Sequence, residues 1–285
     1  MSHHSLKSRL LALSAIALWG SLAAMSVSLR QVPPFLLTGL CLLVGSPIGL
    51  ALAGFRLQVW RVPASTLALG VYGLFGYHFL LFMALRHAPP VQANLVQYLW
   101  PLGIVLMAPI FLPGTPLRAL HVLAALLGFG GAALAIAGGS GLGGLSTEYL
   151  WGYLSALGAA FLWSSYSLLT RRVAHFPSSA IGLFGLVSGG LALLCHGLLE
   201  PSVDLNLRDW CLIVALGLGP LGAAFYLWDA ALKLGDARQI GVLSFITPLL
   251  STTILLAVKG QTPDLSIVLS AALIIGAAVL GVRAK

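Results

Sequence analysis

Ten apolar runs with little between them decide what this chain can fold into. They are Ser8–Leu29, Phe35–Phe55, Ala64–Leu85, Pro90–Leu112, Leu117–Gly138, Tyr149–Thr170, Ser178–Leu199, Asp209–Leu232, Ala237–Val258 and Leu265–Val282. A helix crosses the hydrocarbon core with about 20 residues, so each run is long enough to span. Backbone groups find no water there, and a spanning segment must satisfy them itself, as a helix does. The breaks carry turn signals: Pro33-Pro34, Arg61-Val62-Pro63, Pro89-Pro90 and Pro113-Gly114-Thr115-Pro116. Only 8% of residues are charged and 59% are hydrophobic, whereas a soluble domain needs about a quarter charged to cover its surface. The expectation is an all-α integral membrane protein of ten transmembrane helices, with no extramembrane domain.

The net charge of +8 sits between the runs, not in a basic domain. Those cations set orientation and meet lipid head groups, and no nucleic-acid partner is expected. With the amino terminus in the cytoplasm, the inner segments hold Lys7, Arg9, Arg56, Arg61, Arg118, Arg171, Arg172, Lys233, Arg238, Arg283 and Lys285. The outer ones hold Arg30, Arg86, Arg208 and Lys259. Eleven against four places both termini in the cytoplasm. The first run is too long for the apolar part of a signal peptide and reads as a retained helix.

The glycine-rich stretch 138–145 has a linker's composition and divides the chain into five runs plus five. The halves expected are 1–140 and 141–285, forming one transport domain. Five is odd, so the second half enters from the opposite side, as in the inverted repeats of secondary transporters. An internal match supports the division. Shifted by 147 residues, Phe79–Leu102 falls on Tyr226–Leu249. Leu80, Ala84, Leu85, Gln92, Pro101 and Leu102 meet Leu227, Ala231, Leu232, Gln239, Pro248 and Leu249. Likewise Leu18-Trp19-Gly20-Ser21 answers Leu162-Trp163-Ser164-Ser165. Proline-interrupted spans at matching places in two halves point to a binding site at mid-depth.

Pro101 removes a backbone donor and crowds the carbonyl of Gln97. At helical spacing Asn94, Gln97 and Pro101 share a face flanked by Tyr98 and Trp100, and the ninth run repeats the scheme with Ser244, Thr247, Pro248 and Ser251. Facing lipid, these polar groups would have no partner, so the face points inward. Trp19, Tyr77, Tyr98, Trp100 and Trp163 fall near half-depth, away from the interfaces where Trp60, Trp151 and Trp210 lie. Their polar atoms need partners, from core packing or from a ring-lined cavity that suits a planar, partly apolar solute. His78, the one ionisable residue close to the midplane, is either a solute contact or a hydrogen-bonded core histidine. Asp229 lies four residues before Lys233 on one helix face. The pair is either a helix-surface ion pair or part of a cytoplasmic gate or proton path. The GxxxG pairs Gly45/Gly49 and Gly185/Gly189 permit close helix contact, within the chain or in a homodimer.

The signatures of metalloproteases, phosphate-binding loops and nucleophile elbows are missing, so neither an enzyme nor an ATP-driven pump is expected. No metal-ligand spacing and no cofactor motif is present.

The ten runs in five-plus-five form resemble the drug/metabolite transporter superfamily, EamA type. So do Ala17-Leu18-Trp19-Gly20-Ser21, the stretch Phe79–Pro101 with its Ala-Leu-Arg-His-Ala turn, and the Ala-Ala-Leu…Gly pattern of the fifth and tenth runs. Gln97-Tyr98-Leu99-Trp100-Pro101 is most similar to the aromatic amino acid exporters of that superfamily. The resemblance implies an inner-membrane exporter of aromatic and other hydrophobic amino acids, working by alternating access. Its central cavity would be lined by helices 1, 3, 4, 6, 8 and 9. On this reading Trp19, Tyr77, His78, Asn94, Gln97, Tyr98, Trp100, Trp163 and Ser244 contact solute. Pro101, Pro248, Asp229 and Lys233 serve gating. The alternatives are efflux of planar cationic drugs or of another small metabolite. Small multidrug relatives couple to protons through a first-helix glutamate. This first helix carries no acid, which favours facilitated export.

Overall fold

The structure is a computed structural model that describes residues 3–137, 146–258, 260, 262–263 and 265–284. The expected linker 138–145, the 140/141 boundary, Lys259, Asp264 and Lys285 lie outside the described residues. Among those described, all regular structure is helical. Nine segments are long and apolar enough to span: α1 (Ser5–Ser26), α2 (Pro34–Leu52), α3 (Ala64–His87), α4 (Pro90–Phe111), α5 (Ala119–Ala137), α7 (Ser178–Leu199), α8 (Leu207–Leu234), α9 (Ala237–Val258) and α10 (Leu265–Arg283). Between α5 and α7 runs α6 (Leu150–Leu169), 20 residues long. It is less hydrophobic because Trp163, Ser164, Ser165, Tyr166 and Ser167 crowd its second half, where they are buried against other helices. The ten expected segments are therefore all present as helices.

The packing repeats itself when each helix is exchanged for the one five places on. Helix α1 packs on α8 and α9, and α6 packs on α3 and α4; α2 pairs with α7, and α5 with α10. That is the arrangement of two halves related by a two-fold axis in the membrane plane, an inverted repeat.

Close helix approach explains where the glycine pairs went. A Cβ on Gly45 would lie 2.7 Å from the carbonyl of Gly217 and the Cα of Gly222. One on Gly189 would lie 3.0 Å from the carbonyl of Gly39. Both motif glycines are thus spent inside the chain, joining α2 to α7 and α8. No oligomer is needed to account for them.

The start of α1 and the end of α10 lie on one side of the bundle. Near the start of α1, Ser8 donates to the carbonyl of Ala231 at 3.0 Å, and Gly281 near the end of α10 packs on Val242 of α9. Polar ties hold this side together. Arg238 pairs with Asp236 at 2.6 Å and donates to the carbonyl of Pro116, while Arg172 donates to the carbonyl of Phe111 at 2.5 Å. On the far side Glu200, ending α7, accepts the N–H groups of Phe35 and Leu36 at 3.0 and 3.2 Å. It thereby supplies the carboxylate that the free N–H groups at the amino end of α2 favour. Arg86 at 3.3 Å and His196 at 3.1 Å hold the same carboxylate.

Candidate functional site

Among the described residues, two pairs of spans related by the repeat, α4 with α9 and α3 with α8, are interrupted near the middle. Helix α4 divides into Pro90–Gln97 and Trp100–Phe111, and α9 into Ala237–Leu243 and Ile246–Val258. Each break falls just before its proline, so Pro101 and Pro248 open the second half-helix instead of kinking a continuous one. Helix α3 carries a π-helical turn at Tyr72–Gly76 and α8 carries one at Gly219–Ala223. These coincide under the same 147-residue shift. A π turn holds one extra residue per turn and re-aims the side chains that follow it. In α3 those side chains are Tyr77 and His78.

The interruptions border a hollow of about 240 Å³. It runs from the far-side ends of the helices, at Ser26, Leu37, Phe82 and Asn94, down to Trp19, Trp100, Trp163 and Phe225 near mid-depth. Eight of the nine expected contact residues line it: Trp19, Tyr77, His78, Asn94, Gln97, Tyr98, Trp100 and Trp163. The ninth, Ser244, does not. It sits at the break in α9, fully buried, with its hydroxyl donating to the carbonyl of Gly241 at 2.6 Å. Its neighbour Thr247 lines the hollow instead. The break at Ser244–Phe245 interrupts the helical spacing of α9, so the even stripe expected from spacing alone is not kept. Helix α2 also contributes Leu37 and Thr38, beyond the six helices expected.

Ring contacts make the base of the hollow. Trp19 lies 5.9 Å from Trp163, 6.4 Å from Trp100, 6.1 Å from Phe225 and 5.2 Å from Trp228, centroid to centroid. Edge-to-face pairs at such spacings contribute about 0.5–1.5 kcal/mol each beyond burial. Hydrogen bonds orient the rings. Trp19 Nε1 donates to the carbonyl of Pro220, within the α8 π turn, at 3.0 Å, and Trp228 Nε1 donates to Ser167 Oγ at 3.1 Å. Gln97 Nε2 donates to the Tyr77 hydroxyl at 2.9 Å. His78 Nδ1 lies 2.6 Å from the carbonyl of Leu74. That contact requires the proton on Nδ1, so when the imidazole is neutral its Nε2 is the acceptor.

His78 is thus backbone-bonded, as the core reading expected, and it also lines the hollow. Neither acids nor Lys or Arg occur among the lining residues. Asp229 and Lys233 lie beyond the tryptophan layer, toward the termini. They form an ion pair at 2.6 Å, but a buried one and not the surface pair that spacing suggested: Asp229 is only 2% exposed. Lys233 also donates to the carbonyl of Phe176 at 2.9 Å and stacks on that ring at 3.6 Å. The pair thereby ties α8 to the connection between α6 and α7.

Phe225 and Trp228 were missed in the sequence because an aromatic ring within an apolar run reads the same toward lipid or toward a cavity. The repeat held the missing signal. The 147-residue shift places Phe225 on His78 and Thr247 on Trp100, and all four line the hollow.

The EamA-like transporter family matches this chain twice, over residues 6–137 and 150–283. A protein of Ancylobacter novellus named aromatic amino acid exporter YddG is 44% identical over 272 residues, covering 94% of each chain. The protein of that name in Escherichia coli strain K12 is 25% identical over 266 residues, covering 87% of each. A crystal structure with 43% sequence identity superposes with a TM-score of 0.91, over 98% of both chains. Two copies of one family pattern and ten helices packed as an inverted repeat lead to the same place: the chain is a multi-pass membrane protein and belongs to the EamA-like transporter family.

Proposed function

We propose that this protein exports aromatic and other hydrophobic amino acids across a bacterial inner membrane, with both termini in the cytoplasm. The observation that carries the reading is the hollow itself. It is ring-lined, holds polar groups and has no Asp, Glu, Lys or Arg among the residues that border it. A zwitterion with a planar side chain suits such a site. Its ring packs on Trp19, Trp163 and Phe225. Its charged groups meet neutral dipoles from Asn94, Gln97, Tyr98 and His78 and from backbone freed at the breaks before Pro101 and Pro248. The name carried by the 44%-identical relative supports the same solute class. A planar cationic drug would want a buried carboxylate, and the nearest candidate, Asp229, is paired with Lys233 outside the hollow.

Residues 1–140 and 141–285 act as one transport unit whose halves rock against each other. The breaks at Pro101 and Pro248 absorb the motion, and the Asp229–Lys233 pair closes the termini side while the hollow faces away from it. Solute-dependent thermal stabilisation in detergent tests this. Phenylalanine and tryptophan should raise the melting temperature in a saturable way. No shift with any amino acid, together with a shift from a planar cation, would replace the reading with drug efflux.

A further inference from the structure

Several polar side chains around the hollow are tied within the chain, and one fully buried hydroxyl has no partner. Trp19 Nε1 has the carbonyl of Pro220, Tyr77 has Gln97, and His78 Nδ1 has the carbonyl of Leu74. Thr247 is 5% exposed, and its Oγ1 is buried without a hydrogen-bond partner. Among the buried side-chain atoms left so, it is the one whose residue lines the hollow. A threonine in a helix ordinarily returns its hydroxyl to a carbonyl three or four residues back. Here the carbonyl three back, on Ser244, takes Thr247's own N–H at 3.0 Å. The residue four back belongs to the preceding half-helix.

The placement gives that hydroxyl a definite chemistry. Thr247 is in the first turn of the 13-residue half-helix Ile246–Val258. Such an amino end carries positive partial charge and collects anions on its free donors. Pro248 has no N–H to offer, so the turn lacks one donor. The Thr247 hydroxyl is the donor at hand to fill that place. The other half-helix that begins at mid-depth, Trp100–Phe111, adds a second positive end, and no carboxylate lines the hollow to compete.

We infer that Thr247 Oγ1 donates to the α-carboxylate of the transported amino acid, at the amino end of the second half of α9. This deepens the proposed function and rests on it. The hydroxyl is then a specificity determinant: it favours a free amino acid over an analogue whose carboxylate is masked.

The test is competition in proteoliposome counterflow, using phenylalanine and phenylalaninamide against the wild type, Thr247→Val and Thr247→Ser. Valine keeps the shape and loses the hydroxyl, and serine keeps the hydroxyl. The wild type should prefer phenylalanine by roughly tenfold, the worth of one hydrogen bond to a charged group. Thr247→Val should lose most of that preference by weakening phenylalanine alone, with an unchanged melting temperature in the absence of solute. Thr247→Ser should keep it. A Thr247→Val protein that retains the wild-type preference, or weakens both compounds equally, overturns the assignment while leaving the exporter reading intact. A wild type that neither transports nor binds phenylalanine overturns the exporter reading, and the assignment falls with it.

Discussion

The indoles of Trp19 and Trp163 meet edge to face, 5.9 Å apart with their planes at 77°. One belongs to each half, at matching places in Leu-Trp-Gly-Ser and Leu-Trp-Ser-Ser. The contact therefore lies across the relation between the halves, and both rings line the hollow. Any rocking of one half on the other must slide or part these two rings. A solute resting on them sits where that motion is felt.

Trp163→Phe should slow flux of tryptophan and phenylalanine several-fold while the protein still folds, because the smaller ring keeps an aromatic face at this buried position. Trp163→Ala should cost more, including about 3 kcal/mol or more of stability from the cavity it leaves. Initial rates in proteoliposomes and melting curves separate the two effects. Wild-type flux in Trp163→Phe, together with wild-type flux in Trp163→Ala, would remove the ring from the solute path.

Pro101→Ala and Pro248→Ala restore an N–H and favour a continuous helix across Tyr98–Leu99 or Ser244–Phe245. Each should alter the turnover rate more than the yield of folded protein, since alanine also has the better helix propensity. Single-turnover flux and membrane expression are the measurements. An equal fall in both would leave the prolines a folding role alone.

Asp229→Asn leaves Lys233 partly buried beside the Phe176 ring without its carboxylate. Removing one member of a buried pair typically costs about 3–5 kcal/mol, and replacing both with apolar groups often costs far less. Lys233→Met with Asp229→Leu should therefore be more stable than either single variant. If the pair also closes the termini side, the double variant should leak solute. Tight vesicles from a stable double variant would confine the pair to stability.

Asp236 lies outside the spans, between α8 and α9. Burial works against its charge, but hydrogen bonds and charge from Arg238 prevail and hold its carboxyl below the ordinary carboxylate range. A carboxyl lowered in the folded state contributes stability above its unfolded pKa, and that contribution is lost as pH falls through the folded pKa. Asp236→Asn should lower the melting temperature at neutral pH and narrow its gap to the wild type in acid. A gap independent of pH would mean that the carboxylate's charge plays no part.

The sequence made the spans and most of the site legible for one reason. In hydrocarbon a polar or amphipathic side chain at mid-depth has few places to go, so Asn94, Gln97, Tyr98 and Trp163 had to face inward. Where that constraint lapses, the reading lapses with it. Phe225 is apolar and could have faced lipid. Ser244 is polar but satisfied its hydroxyl on its own backbone, and so had no need of the hollow. The π turns of α3 and α8 are backbone features without a residue signature, although Gly73, Gly76, Gly219 and Gly222 stand within them. The glycine pairs announced close packing but not its partner, since any small face serves a neighbouring helix or a second subunit equally well.

Counterflow in liposomes with labelled phenylalanine and a labelled planar cation, with and without a pH gradient, tests the central claim most directly. A ring-lined hollow without Asp, Glu, Lys or Arg predicts exchange of phenylalanine that needs no gradient, and no exchange of the cation. Gradient-driven movement of the cation with phenylalanine excluded would contradict it.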